Sequence, residues 1–214
     1  MWRGEKTLAA FRPIARAGDS PDGLFTLREG WAAVCPDMPG QPLRATEILL
    51  PGDRIGLGAC IWGKHRYTVV ALTPVRYCVL DCALPERLAE RGGALGLALM
   101  RSLIEDRSRR ERMAALLGYG NPIQRLAYLF LETFLRLKTR GLADETMCPF
   151  PLRRNHIAEI VGLSEVHVSR TLAAMRKEEL IDLSNNILII SDRERLASVA
   201  GLRPAPNAQK LLLL

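Results

Sequence analysis

The chain is 214 residues long, 48% apolar and 25% charged, with 30 lysines and arginines against 23 aspartates and glutamates for a formal charge of +7. That length suits one large domain or two small ones, and the composition suits a soluble globular protein rather than a disordered or membrane one. No apolar run approaches the roughly 18 residues needed to cross a bilayer, so a cytoplasmic protein with no membrane partner is expected, and the surplus of positive charge suits a polyanion.

The positive charge is spread along the chain. Residues 1–120 carry 17 basic and 13 acidic side chains and residues 121–214 carry 13 and 10, so charge does not locate a binding site. The opening MWRGEKTLAAFRPIARAG lacks the long apolar core of a secretory signal. From Gly18 to Leu80 short apolar runs alternate with glycine, proline and aspartate. The runs are Leu24 to Leu27, Trp31 to Val34, Ile48 to Leu50, Ile55 to Leu57, Thr68 to Leu72 and Tyr77 to Leu80. AGDSPDG, PDMPGQP and PGD lie between them and suit tight turns. This punctuation predicts a small antiparallel β-barrel or jelly roll over residues 1–85. Cys35, Cys60, Cys78, Cys82 and Cys148 are odd in number and lack paired CxxC spacing, so no metal site is expected and the thiols are expected free, in a reducing compartment. Parity places Cys78 and Cys82 on one face of the last strand, in the core.

After Pro85 the pattern turns helical, from about Glu86 to Gly118. Leu99, Leu103, Asp106, Arg110, Met113 and Leu117 follow coiled-coil spacing with a polar middle and predict a dimerisation helix over 86–120. Glu105 with Arg109 and Asp106 with Arg110 are acid-before-base pairs four apart, which suit a long exposed helix. A solvated surface helix packed on its own barrel is the alternative. Asn121-Pro122 marks a break, with Asn as a cap and Pro at a first helical position. Ile123 to Lys138 then forms an amphipathic helix through Leu126, Leu129, Phe130, Phe134 and Leu137, and GLADETMCPFP reads as a turn-rich connection.

The stretch from Pro151 to Arg176 predicts two short helices around a tight turn. Ile157 and Val161 are four apart, Gly162 allows the turn, Leu163 is an apolar plug, and Val168 and Leu172 are again four apart. Ala158 is small where a crossing helix comes closest, and Ser164 is placed to cap the second helix. Glu165, His167, Ser169 and Arg170 fall on or near the outer side of that helix, as in a helix-turn-helix that reads a major groove. An ordinary αα-corner is the alternative. Leu180 to Leu183 and Ile187 to Ile190 flank Ser184-Asn185-Asn186 and predict a hairpin, here a wing, which completes a domain over 121–204. The tail, 205–214, ends in four leucines, too few for a membrane anchor. The expected fold class is α+β.

A turn-rich barrel, a long pairing helix and a winged helix-turn-helix, in that order, resemble the Crp/Fnr family of bacterial transcription regulators. The resemblance rests on AGD at Ala17 to Asp19, FTLREG at Phe25 to Gly30, LLPGDRIGL at Leu49 to Leu57, ALTPVRYCVL at Ala71 to Leu80 and IAEIVGLSEVHVSRTL at Ile157 to Leu172, and covers nearly the whole chain. It implies a homodimer that senses a signal in the barrel and binds near-palindromic double-stranded DNA, with RNA polymerase as a further partner. The cyclic-nucleotide pocket of one branch is not matched. Leu57 stands where the ribose-holding Glu falls, and Lys64-His65-Arg66-Tyr67 lacks the phosphate-holding Arg-Ser pair. The iron-sulfur branch needs a cysteine cluster near the N-terminus, and no cysteine precedes Cys35. No cofactor is therefore expected, with a cyclic-nucleotide, haem (His65, Cys60, Cys78) or redox (Cys148) input as alternatives.

Carried onto the second helix, the resemblance makes Arg170 the recognition arginine, whose fork pairs with O6 and N7 of a guanine. A salt bridge to Glu165 is its alternative use. Val166 stands where the family has a glutamate that accepts from cytosine. Valine instead suits a thymine methyl, so an altered half-site is expected, with Glu165 or His167 taking part of the reading. Ser169 matches a family serine at base or phosphate, and Arg154 an arginine that grips phosphate. Arg153 and His156 stand where a Thr cap and an acid are usual, which predicts a poorly capped first helix. An enzyme of the cupin type needs a cluster of barrel histidines, and only His65 lies in the barrel region, so no catalytic activity is expected. A protein-interaction module that uses the winged helix without DNA is the remaining alternative.

Overall fold

The computed structural model describes residues 2–202. The tail expected over 205–214 lies outside the described residues. The chain divides into two compact units, Met1–Ser108 and Arg109–Leu214.

The first unit opens with β1 (Trp2–Leu8) and β2 (Pro13–Ala15). Then come β3 (Leu24–Glu29), β4 (Ala32–Pro36), β5 (Glu47–Leu49), β6 (Arg54–Ile55), α1 (Leu57–Trp62), β7 (Tyr67–Ala71) and β8 (Val75–Leu80). They form two four-stranded sheets, in the orders β1-β8-β3-β6 and β2-β7-β4-β5, with every pairing antiparallel. The period of two decides what each strand buries: Val75, Tyr77 and Val79 of β8 are buried and the residues between them only half so. Phe25, Leu27, Ile55, Tyr77 and Val79 from one sheet share a core with Ala32, Leu49, Val69 and Ala71 from the other. The result is jelly-roll-like, two facing sheets rather than a closed barrel.

The turns explain why the strands end where they do. Asp53 of the PGD turn is buried, and its carboxylate accepts from the Leu50 N–H at 2.8 Å. Gly30, at the end of FTLREG, has φ +80°, and a Cβ there would run into the Pro74 carbonyl oxygen. The expected run Ile55 to Leu57 is divided at Gly56, which has φ +90°, and Leu57 starts α1 instead. β1 and β2 lie outside the predicted runs, because WRGEKTL scatters charge along an edge strand with mostly exposed positions.

Two cysteine expectations are corrected. Cys60 on α1 and Cys82 are joined as a disulfide, with Cα atoms 4.9 Å apart, so these two are not free thiols. Cys82 lies beyond the end of β8, so it does not share a strand face with Cys78. Cys78 is on the outer face of β8, only half-buried, with its Sγ 3.5 Å from Glu5 Oε1. His65, the barrel-region histidine, is buried. Its N–H donates to Asp19 O at 2.9 Å and its carbonyl accepts from Gly18 N–H at 2.8 Å, which draws the loop inward.

α2 (Leu84–Arg91) and α3 (Gly93–Tyr119) replace the single helix expected from Glu86, because Gly92 and Gly93 adopt φ of +57° and +78° and break it. α3 has no buried residue among those described. Its expected seam divides in two. Leu103, Arg110 and Leu117 are exposed, whereas Leu99, Asp106 and Met113 are half-buried. Asp106 is not the seam's polar centre: its carboxylate lies 3.9 Å from the guanidinium of Arg54 on β6, which also donates to Ser102.

The second unit holds α4 (Pro122–Thr139), β9 (Met147–Pro149), α5 (Arg154–Val161), α6 (Glu165–Lys177), β10 (Ile181–Ser184), β11 (Ile187–Ile190) and α7 (Arg193–Val199). Asn121 caps α4, accepting from Gln124 N–H at 2.9 Å, while the Gln124 side chain accepts from Asn121 N–H at 2.9 Å. Leu126, Leu129, Phe130, Phe134 and Leu137 of α4 are all buried, and Phe150 packs edge-on against Phe130 at 5.2 Å. GLADETMCPFP contains β9, which joins β10 and β11 in a three-stranded sheet of order β10-β11-β9. No described helix is long and apolar enough to cross a membrane.

Burial lowers the ring pKa of both His65 and His156, against the pull of nearby carboxylates. The fold therefore holds neutral rings, while the unfolded chain takes up protons below the ordinary value of 6.5. Stability is full above that pH and falls as pH drops from 6.5 toward the lowered values. Thermal melts between pH 7.5 and 5.5 are expected to show Tm falling with pH, and His65→Gln with His156→Gln is expected to flatten the dependence. An equal slope in the double variant would refute the assignment.

Candidate nucleic-acid interface

α4 is the floor on which the helix pair stands, packed against α5, α6 and α7. His156, Ile157, Ala158, Ile160 and Val161 bury one side of α5, and Val168, Thr171 and Met175 one side of α6. These positions follow the helical period, so the remaining face of each helix is left to solvent. Gly162 makes the turn with φ +63° and ψ +43°, and Leu163 N–H reaches back to Ala158 O at 2.9 Å, closing the end of α5. A Cβ at Gly162 would lie 3.2 Å from Leu117 Cδ2. The left-handed backbone selects glycine there.

Ser164 caps α6, its hydroxyl accepting from His167 N–H at 3.2 Å. Glu165, Val166, His167 and Arg170 are exposed, with Val166 at 62%. Arg170 has no ion pair among the described residues, so its guanidinium is not spent on Glu165. Ser169 is half-buried, and its hydroxyl donates to Glu165 O at 2.9 Å, leaving only its lone pairs for another partner. Arg154, in the first turn of α5, is exposed as well. The six exposed positions Arg154, Ser164, Glu165, Val166, His167 and Arg170 thus belong to the first turn of α5, the turn between the helices and the first half of α6. Glu165 sits where the helix dipole favours negative charge, and Arg176 and Lys177 close the other end.

The start of α5 is better satisfied than the sequence suggests. His156 is buried, and its Nδ1 accepts from Arg153 N–H at 3.4 Å, a long hydrogen bond that completes half of a capping box. The lowered ring pKa keeps that nitrogen able to accept.

The hairpin turns on Asn185 and Asn186, whose φ values of +51° and +61° are those of a type I′ turn. Ser184 pairs with Ile187, so the turn is one residue shorter than the predicted Ser184-Asn185-Asn186. Arg176 of α6 braces this wing, donating to Asp182 at 2.7 Å and to Leu183 O at 3.1 Å. Cys148 of β9 is buried, and desolvation pushes its thiol up to about 12, so it stays protonated and unreactive at neutral pH.

Arg125 of α4 is a positioning residue that the sequence does not reveal. It donates to Gly120 O at 3.1 Å, to Leu117 O at 3.1 Å and to Val161 O at 3.2 Å, tying the end of α3 to the end of α5. All three acceptors are main-chain carbonyls, which carry no residue-type signal. Nearby, Glu132 lies 3.0 Å from Arg109 Nε and 3.3 Å from Arg136 Nε, joining α3 to α4 in a largely buried ion cluster.

In the first unit, Leu57 begins α1 and is half-buried, and Lys64 and Arg66 are exposed, with the Arg66 guanidinium 4.1 Å above the Trp62 ring. No ribose-holding carboxylate stands at Leu57. Cys60, a haem candidate in the sequence, is taken up in the disulfide.

Comparison with known proteins agrees with this division of labour. Residues 124–199 match the family described as Crp-like helix-turn-helix domain, and residues 5–91 match the family described as cyclic nucleotide-binding domain. The transcriptional regulatory protein btr of Bordetella pertussis is 28% identical over 86% of this chain and 75% of its own length. The fumarate and nitrate reduction regulatory protein of Vibrio cholerae is 22% identical over 92% of this chain and 79% of its own. Among solved structures, FixK2 from Bradyrhizobium japonicum shares the fold with a TM-score of 0.77, at 21% identity, over 92% of this chain and 96% of that one.

Proposed function

The chain belongs to the Crp/Fnr family of transcription regulators, which are not enzymes, and from that premise we propose that it works as a cytoplasmic homodimer reading a near-palindromic operator through α6. The observation that carries the reading is the face of α6. Glu165, Val166, His167 and Arg170 are exposed together on a helix whose other side is buried on α4, and Arg170 is unpaired among the described residues. In this reading Arg170 takes a guanine, Val166 a thymine methyl, Ser164 and Ser169 bases or phosphates, and Arg154 a phosphate. Glu165 or His167 takes part of the base reading that valine gives up. The half-site keeps the guanine and loses the family's usual opposite-strand cytosine preference.

Dimerisation is supported by α3. Leu97, Met100, Leu103, Ile104 and Leu117 are exposed along α3, which has no buried residue among those described. Met100 and Ile104 stand four apart with Leu103 beside them, a stripe suited to a second copy of the helix. Of the positions first read from spacing, Leu103, Arg110 and Leu117 are exposed, whereas Leu99, Asp106 and Met113 are half-buried, with Asp106 beside Arg54. The family's work in transcription makes RNA polymerase the further partner. In this reading the signal is other than a cyclic nucleotide, since Leu57 stands where the ribose-holding carboxylate falls and no Arg-Ser pair follows.

Binding of the purified dimer to fragmented genomic DNA tests the reading. A palindromic motif that retains guanine in each half is expected, with affinity falling steeply with salt. Arg154→Ala is expected to reduce the magnitude of the salt slope by about 1.8 for the two copies in a dimer, with little change in the motif. Binding without a common motif would favour the protein-interaction alternative.

A further inference from the structure

Cys60 and Cys82 are the unused chemistry of the first unit. Both are half-buried, 22 residues apart in sequence and bonded, with Cα atoms 4.9 Å apart, inside the span a disulfide requires. Their positions give the bond a mechanical meaning. Cys60 is on α1, the helix inserted between β6 and β7. Cys82 lies in the turn where β8 gives way to α2, a turn shaped by the Asp81 carboxylate, which accepts from Ala83 N–H at 3.1 Å. α2 leads through Gly92 and Gly93 into α3, which carries the chain into the second unit. The other cysteines are unlike this pair. Cys35 and Cys148 are buried and Cys78 faces Glu5 on an outer strand surface.

We propose that Cys60 and Cys82 form a reversible thiol–disulfide site that fastens α1 to the start of α2 when oxidised and releases it when reduced, altering DNA binding through α3. The inference rests on the regulator reading above. In a reducing cytoplasm a disulfide is a transient, redox-reporting bond rather than a permanent staple. A low-molecular-weight disulfide such as oxidised glutathione is a sufficient oxidant. One cysteine thiolate attacks it, forming a mixed disulfide and releasing one small thiol; the second cysteine thiolate then displaces the other. Two cysteine S–H bonds are lost, one S–S bond forms, and the small disulfide is reduced to two thiols. Dithiothreitol or an intracellular thiol reverses the exchange.

The test uses the full chain, equilibrated with oxidised glutathione or with dithiothreitol, and read three ways. A non-reducing peptide map is expected to show a Cys60–Cys82 cross-link only in the oxidised sample. Hydrogen exchange over residues 84–104 is expected to be faster in the reduced one. Affinity for the operator is expected to differ by about fivefold or more between the two, at the lower end of typical coupling. Cys60→Ser and Cys82→Ser are each expected to behave like the reduced protein under either treatment, and Cys148→Ser to keep the response. Failure to form the cross-link overturns the proposal. So does a cross-link that leaves both exchange and affinity unchanged, which makes it a static staple. If exchange responds but neither state binds DNA, the redox site stands, its link to DNA falls, and the reading of α6 fails separately.

Discussion

Arg170→Ala is expected to reduce operator binding by roughly 30-fold to more than 10,000-fold while leaving the protein folded. A bidentate arginine–guanine pair supplies about 1–3 kcal/mol of discrimination, and a dimer loses two of them, about 2–6 kcal/mol. The side chain is exposed and has no ion pair among the described residues, so its removal breaks nothing in the fold. Surface changes of that kind shift stability by only about 0.5 kcal/mol. Fluorescence anisotropy with the selected palindrome measures the loss, and binding to unrelated DNA, held by phosphate contacts, is expected to fall far less. An unchanged operator affinity, with an unchanged melting temperature, would remove α6 as the reading helix.

The second large effect concerns pairing. Met100 and Ile104 are each 58% exposed, so glutamates there cost the isolated chain little. Across a symmetric helix pair the same change places four carboxylates in an apolar seam. Met100→Glu with Ile104→Glu is expected to convert the dimer to a single-chain species in sedimentation velocity. Tethering two recognition helices multiplies affinity by about 10²–10⁴, so palindrome binding is expected to fall by at least about 100-fold. A double variant that stays dimeric would move the interface off α3. Arg110→Ala lies on the open side but carries charge, and its loss is not expected to dissociate the pair.

The helix-turn-helix was legible because every device that builds it is local. Ile157, Val161 and Val168 reveal their buried side through spacing, Ser164 announces its cap, and Gly162 its turn, all within 12 residues of chain. The sheets were legible for the same reason where turn residues bracket apolar runs. β1 was not, because an edge strand needs no apolar alternation, and α1 was not, because six residues after Gly56 are too few for a helical period to declare itself. α3 was legible as a helix but not as a face. Spacing alone admits either of two adjacent stripes, and the Arg54 guanidinium beside Asp106 shows which of them meets the chain's own sheets.

By itself the sequence determined the order of parts, the α+β class and most of the exposed residues on α6, since periodicity, capping and turn chemistry act between near neighbours; Ser169, expected on the outer side, is half-buried. The tertiary structure decided which distant groups meet. It brought Cys60 to Cys82, buried His65, drew the His156 ring onto the start of α5, and set Arg125 against two carbonyls at the end of α3 and one at the end of α5. Such meetings leave no periodic trace, because they depend on where packing carries the backbone. The same distinction bears on the proposed interface: its local pattern marks α6 as the candidate reading helix, and Arg170, exposed and without an ion pair among the described residues, is available to DNA in that reading.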